Sequence, residues 1–434
     1  MPQLKVQKNK RKFRMILVSV FTVLFLMLSW MLLFGPLKQW LFSESIKTID
    51  AGFPGAAGAA DDSFQYPEQI AEQLQDRIQL LLFEQNQFAV WYRQSDRPGV
   101  LPAERAAVAL ASDQILYARY LLEQENKTAF QAWWAAFKSQ WQNPDGSYQG
   151  ARPLNPVVSV NPNTDWLRIN FSMARVLAQS VSLWPDQARM NDLQRLSRCL
   201  LSTLNEETPV DHIAVVPTAA PILDPGATPT PKPLLSPVPT PEPRVTLPVI
   251  RLASIDLYAM ELLTQLDPEW SEWGEYYEAV VMEGFLGETM PLFAWAWDPE
   301  QKAYVTFQGD QPHVDTEEAL LTILHLCEVG VIPEMSINWV RSQMMNQSAL
   351  YKQYHPVQGT ATDPLESIAS YALAARIARM IDDSALYQIT VDRMMWHQAT
   401  SRTSDVLHAL FRQETQDTAS VWAHDNLWGL LALR

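Results

Sequence analysis

The chain has 434 residues, of which 47% are hydrophobic and only 19% charged, a balance that suits a globular protein and excludes an intrinsically disordered one. The first 14 residues hold six of the 33 basic residues and no acidic residue, so the remainder, with all 48 acidic residues, carries a net charge of −21. A polyanion of this size repels nucleic acid, and we expect a neutral or cationic partner such as carbohydrate.

The N-terminus predicts a membrane anchor. Residues 15–34 are 20 consecutive uncharged residues, long enough to span a bilayer as a helix. The basic residues before them place the N-terminus in the cytoplasm and the rest of this single-pass protein outside the cell membrane. A cleaved signal peptide is the alternative, but its apolar core is normally shorter, and the small residues at 57–60 form only a weak, late cleavage site. We therefore expect a retained anchor, followed by a stalk over residues 35–65.

From Tyr66 onward, apolar residues recur mainly at helical spacing. After a first helix near Tyr66, the predicted helices cover residues 103–123, 127–141, 164–181, 186–204, 253–266, 270–284, 316–328, 335–346, 365–381, 384–397 and 420–433. The best strand candidate is a hairpin at 292–307 with a turn at 298–301. About twelve helices in antiparallel pairs fit either a closed (α/α)6 barrel or an open helical solenoid, although the sequence shows no regular repeat. The predicted fold is mainly α.

A proline-rich segment separates the two helical halves. Residues 215–248 contain eleven prolines, which exclude a helix and a central strand. The segment is either a linker between two domains or a long insertion into one barrel domain over residues 66–434. We favour the insertion, because neither half has enough helices to close a barrel and the entropy of loop closure rises slowly with length.

Cysteine and histidine usage gives no sign of a metal centre. Cys199 and Cys327 lie far apart, and both a disulfide and two free thiols fit them. No Cys-x-x-Cys occurs, and the seven histidines form no His-Glu-x-x-His pattern. We expect neither a metal nor another cofactor.

Asp113 lies in an apolar stretch of helical character. In one interpretation Ser112 caps a helix and Asp113 sits in its first turn, close to the positive end of the helix dipole. In the other, the helix begins near Ala103 and Asp113 is a buried acid, whose pKa burial would raise as a general acid requires.

Two further carboxylates lie at predicted helix starts. Asp165 precedes Trp166, after the candidate caps Asn163 and Thr164, and Asp315 is itself a candidate cap. In a helical barrel the inner helices begin around one mouth of the central funnel, so we expect these acids to converge. A helix start is also predicted at Thr362 or Asp363, with a structural role.

The helix at 127–141 is rich in aromatic residues. Phe130, Trp134, Phe137 and Trp141 share one face, which we expect in the core. Trp133 points elsewhere, so it is a candidate for stacking on a ligand.

The order of these features resembles that of the family 8 glycoside hydrolases, inverting β-glucanases with an (α/α)6 barrel. Ser112 and Tyr117 match the family motif S-E-x-x-x-Y-G-M-x-x-A, with Asp113 where the family has its acidic Glu. The stretch PNTDWLRIN, around Asp165, resembles the family's ATDADL-x-IA helix. The stretch HVDTEE places Asp315 on the Asp of the family's Y-D-A-x-R, with Glu318 in place of the Arg.

The resemblance implies an inverting hydrolase of a β-linked glucan, acting as a monomer. Asp113 would be the general acid, Asp315 the base, and Asp165 a substrate ligand, while Tyr117, Trp133 and Trp166 would line the groove. Asp in place of Glu retracts the acid by about 1.5 Å, and the family's Arg is lost. The alternative is therefore a catalytically inactive, glycan-binding accessory of exopolysaccharide synthesis or export.

Overall fold

The computed structural model describes Met27 and residues 48–55, 64, 66–95, 103–205, 249–307, 312–415 and 418–434. Apart from Met27, the predicted anchor at 15–34 lies outside the described residues, as does the proline-rich segment at 215–248. None of the helices within these ranges combines the length and the hydrophobicity needed to span a bilayer.

The described ranges contain twelve α-helices and a set of short strands. The helices are α1 Glu68–Leu82, α2 Ala111–Glu123, α3 Lys127–Trp141, α4 Trp166–Leu183, α5 Gln187–Leu204, α6 Leu257–Thr264, α7 Glu269–Glu283, α8 Thr316–Glu328, α9 Glu334–Gln347, α10 Ile368–Met380, α11 Ser384–Met395 and α12 Ala423–Ala432. The strands are β1 Phe83–Glu84, β2 Gln87–Phe88, β3 Trp91–Ser95, β4 Glu104–Arg105, β5 Val108–Leu110, β6 Ala151–Pro153, β7 Ile250–Arg251, β8 Ala296–Asp298, β9 Ala303–Val305, β10 Val314–Asp315, β11 Tyr351–Tyr354, β12 Ala361–Glu366, β13 Arg412–Thr415 and β14 Thr418–Trp422.

The even-numbered helices form an inner ring, and the odd-numbered helices surround it. Twelve of the thirteen residues of α10 are buried, whereas only four of the fourteen residues of α9 are, because an outer helix packs on one face alone. Each inner helix contacts its two inner neighbours, and α12 returns to contact α2. The ring is therefore closed, as an (α/α)6 barrel requires, and the open solenoid is excluded for this unit.

Strand pairing joins the first and last hairpins of the barrel. Strand β3 pairs antiparallel with β14, in register from Trp91 opposite Trp422 to Ser95 opposite Thr418. Together with β4 and β13 they form a four-stranded sheet. The strands lie in connections that lead from an outer helix to the next inner one, so the inner helices all begin at the same end of the barrel. We call this end the mouth; its helices start at Ala111, Trp166, Leu257, Thr316, Ile368 and Ala423.

Three predicted helix starts are too early, because strands precede the helices. Residues 104–110 form β4 and β5, so α2 begins at Ala111, with Leu110 and not Ser112 at its N-cap. Residues 361–366 form β12, so neither Thr362 nor Asp363 begins a helix, and α10 starts at Ile368. Likewise, β14 precedes α12. The predicted hairpin at 292–307 is confirmed as β8 and β9.

The part of the predicted stalk that is described packs on the barrel. Ile49, Ala51 and Phe64 are buried in the main hydrophobic core. The Tyr258 hydroxyl and the Gln179 amide both donate hydrogen bonds to the Gly52 carbonyl, at 2.8 and 3.0 Å. The compact unit thus begins at Ile49 rather than at Tyr66. Within it, the buried Cys327 and the half-buried Cys199 form no disulfide with each other.

Candidate active site

The mouth gathers charged side chains from the beginnings of several inner helices. Apart from Arg251, each lies within the first turn of its helix or just before it, where unpaired backbone N–H groups and the helix dipole favour negative charge. They are Asp113 of α2, Asp165 and Arg168 at α4, Arg251 of β7, Asp315, Glu317 and Glu318 at α8, and His424 and Asp425 of α12. The predicted convergence of Asp113, Asp165 and Asp315 at one end of the barrel is therefore seen.

Asp113 is enclosed beneath His424. Its side chain is 1% exposed, and neither carboxylate oxygen accepts a hydrogen bond from a described residue. The nearest cation is His424, whose Nδ1 lies 3.8 Å from Oδ1 of Asp113. Burial raises the pKa of Asp113, and His424 opposes that rise only in part. Burial thus shifts the pKa of this carboxyl group in the direction that a general acid requires.

His424 connects Asp113 to a second acid. Its Nε2 lies 2.6 Å from Oε1 of Glu317, and the Ser367 hydroxyl donates to Oε2 of Glu317 at 3.1 Å. Burial alone would lower the pKa of His424, but Glu317 and Asp113 together raise it to about 10. Burial would likewise raise the pKa of Glu317, but His424 brings that pKa down to about 2. The pair is therefore an imidazolium and a carboxylate near neutral pH.

A second charge network joins α4, α8 and β7. Glu318 lies 3.3 Å from both Arg168 and Arg251. Arg251 also donates to Oδ1 of Asp165 at 2.6 Å. Where the resembled family has an arginine, this chain has Glu318, and two arginines from other elements surround it. The mouth thus retains positive charge in a different arrangement.

Asp315 faces a cavity at the mouth. It caps α8, accepting a hydrogen bond from the Glu318 N–H at 3.0 Å, as predicted for a capping residue. Burial, and then the nearby charges of Glu317 and Glu318, raise the pKa of Asp315 to about 7. The cavity has a volume of about 250 Å³, and its described lining also includes Arg251, Trp295 and Phe307. A carboxyl group that titrates near neutral pH beside two aromatic rings suits a base acting on a sugar.

The three aromatic residues predicted to line the groove, Trp166, Tyr117 and Trp133, lie in different parts of the structure. Trp166 is the first residue of α4 and lies half-buried at the mouth. Tyr117 instead packs on Phe88, with ring centroids 5.0 Å apart, and its hydroxyl accepts from Gln79 of the outer helix α1. It is a core residue, so the prediction that it lines the groove is wrong.

Trp133 is also part of the core. It lies on the outer helix α3, is 7% exposed, and stacks on Phe137 with ring centroids 4.8 Å apart. Its ring packs within the aromatic cluster of its own helix. The prediction that it stacks on a ligand is therefore wrong.

Sequence reasoning missed His424, Arg168 and Arg251. The apolar pattern of residues 420–433 indicates only a final docking helix, although His424 and Asp425 occupy the same first-turn position as the acids of α2 and α8. That shared position was the available signal. No sequence signal marked the two arginines, because their ion-pair partners belong to distant parts of the chain.

Deeper in the barrel, Asp256, His325 and Glu328 could supply three metal ligands, with ligand atoms within 4.8 Å of one another. Both oxygens of Glu328, however, accept hydrogen bonds from Arg175, at 2.5 and 2.7 Å. The guanidinium of Arg175 also lies 3.6 Å from Asp256. Because a cation already compensates these carboxylates, the cluster is better described as a buried ion-pair network.

Comparison with known proteins identifies the fold. No protein-family model matches the chain, and no curated protein matches it in sequence. Among solved structures, a novel alpha-amylase from Clostridium perfringens has a TM-score of 0.66 at 21% identity, covering 84% of this chain and 97% of that one. A double mutant of Rex8A from Paenibacillus barcinonensis has a TM-score of 0.53 at 12% identity, covering 88% of this chain and 95% of its own.

A family 8 glycoside hydrolase from Teredinibacter turnerae, in a xylobiose complex, has a TM-score of 0.51 at 10% identity and covers 88% of this chain and 95% of its own. At these identities the similarity establishes the fold. The chain has the (α/α)6 fold of family 8 glycoside hydrolases in a divergent form.

Proposed function

We propose that this protein is a glycoside hydrolase that acts on a β-linked glucan or a related polysaccharide at the mouth of its barrel. The observation that carries the proposal is Asp315, a carboxyl group with a pKa of about 7 that faces a cavity lined by Trp295 and Phe307. Few residues outside active sites combine a strongly shifted pKa with an open cavity and aromatic neighbours.

The proposed mechanism uses two carboxyl groups and inverts the anomeric configuration. Asp315, in its deprotonated form, activates a water molecule that attacks the anomeric carbon. Asp113 gives its proton to the glycosidic oxygen as the bond to the leaving sugar breaks. An inverting enzyme holds these two carboxyl groups about 6.5–9.5 Å apart, which leaves room for the water. Asp165 and Trp166 hold the sugar at the cleavage site.

The proposal extends to location and partners. The basic N-terminal tail and the apolar residues 15–34 support a single-pass membrane protein whose barrel lies outside the cytoplasm. There the barrel acts as a monomer on a neutral polysaccharide. The net charge of −21 after the tail argues against nucleic acid as a partner.

The test is the release of reducing sugar from a panel of β-glucan, xylan and starch. Xylan and starch are included because solved structures of the same fold are a xylobiose complex and an alpha-amylase. We expect release from one class, with kcat/KM rising as the pH passes about 7 because Asp315 acts deprotonated. Asp315→Asn and Asp113→Asn each reduce kcat by about 10² to 10⁴. Full activity of Asp315→Asn would show that Asp315 is not the catalytic base.

A second candidate function is a non-catalytic glycan-binding accessory of exopolysaccharide synthesis or export. The observation that favours it is the burial of Asp113 beneath His424, since an acid with no exposed oxygen does not reach a glycosidic bond without a rearrangement. In that case the wild-type protein binds one polysaccharide of the panel and releases no reducing sugar.

A further inference from the structure

Trp396 presents a large aromatic surface to solvent. It follows the last residue of α11, and 75% of its surface is exposed, although most tryptophans of folded proteins are largely buried. A single exposed apolar side chain is ordinary by itself, so the position and the contacts of Trp396 decide whether it has a function.

The position of Trp396 is on the mouth side of the barrel. Outer helices run towards the mouth, so the C-terminus of α11 lies at that end. Arg393 of α11 donates two hydrogen bonds to Glu366, which immediately precedes Ser367 at the N-cap of α10. The Ser367 hydroxyl contacts Glu317 at 3.1 Å. A short series of direct contacts therefore connects Trp396 with the candidate active site.

The indole is held in place on one face and open on the other. The guanidinium carbon of Arg393 lies 4.4 Å from the centroid of the Trp396 ring, a cation–π contact. Arg393 is itself fixed by Nε and Nη2 hydrogen bonds to the two oxygens of Glu366, at 2.9 and 2.5 Å. Because the ring is already ordered, a ligand that stacks on its free face has little side-chain entropy to remove.

The surroundings of the ring match the chemistry of a sugar. Arg393, which stacks on the ring, pairs with Glu366, and His397, the next residue after Trp396, lies 3.7 Å from Glu366. All three side chains are partly exposed, so polar groups lie close to an apolar surface. A pyranose has the complementary structure, with C–H groups on its faces and hydroxyl groups around its edge. The acidic chain also suits a neutral ligand.

We propose that Trp396 is a secondary sugar-binding platform, which holds a polysaccharide chain beyond the sugars bound at the mouth. The ligand class rests on the proposed function; the platform itself rests on the exposure and fixation of Trp396. It binds a sugar ring by stacking and takes no part in bond cleavage. Long chains that reach both sites gain affinity, and short oligosaccharides do not.

The test is calorimetric titration of the full chain carrying Asp315→Asn, with the disaccharide and the polymer of each glycan class. In this background, Trp396→Ala weakens polymer binding about tenfold, the equivalent of one aromatic stacking contact. Disaccharide binding stays unchanged, and Trp396→Phe keeps most of the polymer affinity. Tyr276→Ala is the matched control, because Tyr276 is a 46% exposed aromatic residue of the outer helix α7 and should have no effect.

The outcomes separate the two proposals. If no glycan binds to the Asp315→Asn protein, the proposed function fails. If a polymer binds and Trp396→Ala binds it with the same affinity, only the platform is overturned. If Trp396→Ala loses the same affinity for the disaccharide as for the polymer, the platform is also overturned, because Trp396 would then belong to the binding site at the mouth. As a second readout, the polymer should protect Trp396 from oxidation by N-bromosuccinimide, and the disaccharide should not.

Discussion

The imidazole of His424 lies between carboxylates of two different inner helices, Asp113 of α2 and Glu317 of α8. This arrangement keeps His424 positively and Glu317 negatively charged near neutral pH. The imidazolium neutralises Glu317 and leaves Asp113, which is more deeply buried, with a raised pKa. A single residue near the end of the chain therefore lowers the pKa of both acids, while burial still keeps the pKa of Asp113 above its ordinary value. The sequence did not reveal this, because His424 and Glu317 are 107 positions apart.

The Glu317–His424 pair should make stability depend on pH. The pKa of Glu317 falls from 4.5 to about 2 on folding, so its contribution is present above about pH 4.5 and is lost as the pH falls towards 2. The pKa of His424 rises from 6.5 to about 10, so its contribution is present below about pH 6.5 and is lost as the pH rises towards 10. We therefore expect the stability difference between the wild type and His424→Asn to be largest near pH 5–6.

Urea unfolding of the two proteins between pH 5 and about pH 10 measures this difference. The difference in unfolding free energy between the wild type and His424→Asn should decrease steadily above pH 6.5. In a Glu317→Gln background the effect of His424→Asn should be small at every pH, because the negative charge that pairs with His424 is absent. A gap that stays constant with pH would show that the imidazole packs there without an ionic role.

At the scale of elements, the short connections at the mouth position the acids. The amide of Ala111, at the start of α2, donates to the Gly150 carbonyl at 2.8 Å, and the Gly150 amide donates to the Pro162 carbonyl at 2.7 Å. Gly150 thus ties the start of the helix that carries Asp113 to the loop that leads into α4. A Cβ at Gly150 would lie 1.6 Å from the Thr164 carbonyl oxygen, which is a backbone atom.

Gly150→Ala should consequently destabilise the protein by at least about 1–3 kcal/mol, because either the loop or the start of α2 must move. Gly274→Ala is the control: Gly274 lies in the outer helix α7, a Cβ there meets nothing within 4 Å, and alanine should stabilise the helix by about 0.5–1 kcal/mol. Chemical denaturation compares the two variants. Equal stability of Gly150→Ala and the wild type would mean that the loop around Gly150 can accommodate a Cβ without loss of stability.

The same connections limit what the sequence could predict. Amphipathic periodicity locates the outer helices, and the hairpin at β8 and β9 is found from its turn. The inner helices α2 and α12 are buried on almost all sides, so their apolar pattern continues without a break into the strands before them. For α10, the residues of β12 resemble a helix start, with Asp363 followed by Pro364 and Glu366. Strands β5 and β14 are strands because they pair with β6 and β3, and such distant pairing leaves no local signal.

At the scale of the whole molecule, the inner ring is joined through its centre by buried ion pairs. Arg175 of α4 donates to both oxygens of Glu328 of α8, and Arg119 of α2 lies 3.5 Å from the same carboxylate. Arg175 and Glu328 are each at most 1% exposed in their side chains. Three inner helices that are not consecutive in sequence therefore share one charged contact. Only the closed ring creates it, so no sequence pattern predicted it.

Glu328→Gln should be strongly destabilising, by about 3–5 kcal/mol, because it leaves buried guanidinium groups without a compensating charge. The control is Glu84→Gln, which removes the exposed partner of Arg105, a pair 3.0 Å apart, and should cost about 1 kcal/mol or less. Thermal and urea unfolding at neutral pH compare them. If the two variants lost similar stability, the central network would not hold the ring together.

The mouth of the barrel, in the function proposed above, is an inverting active site in which Asp315 activates water. The most direct measurement is a proton NMR time course of oligosaccharide hydrolysis, which identifies the anomer that forms first. For a β-linked substrate we predict that the α-anomer appears first with the wild type, and that Asp315→Asn gives no product on the same time scale. The β-anomer as first product, or equal rates for the two proteins, would contradict the claim.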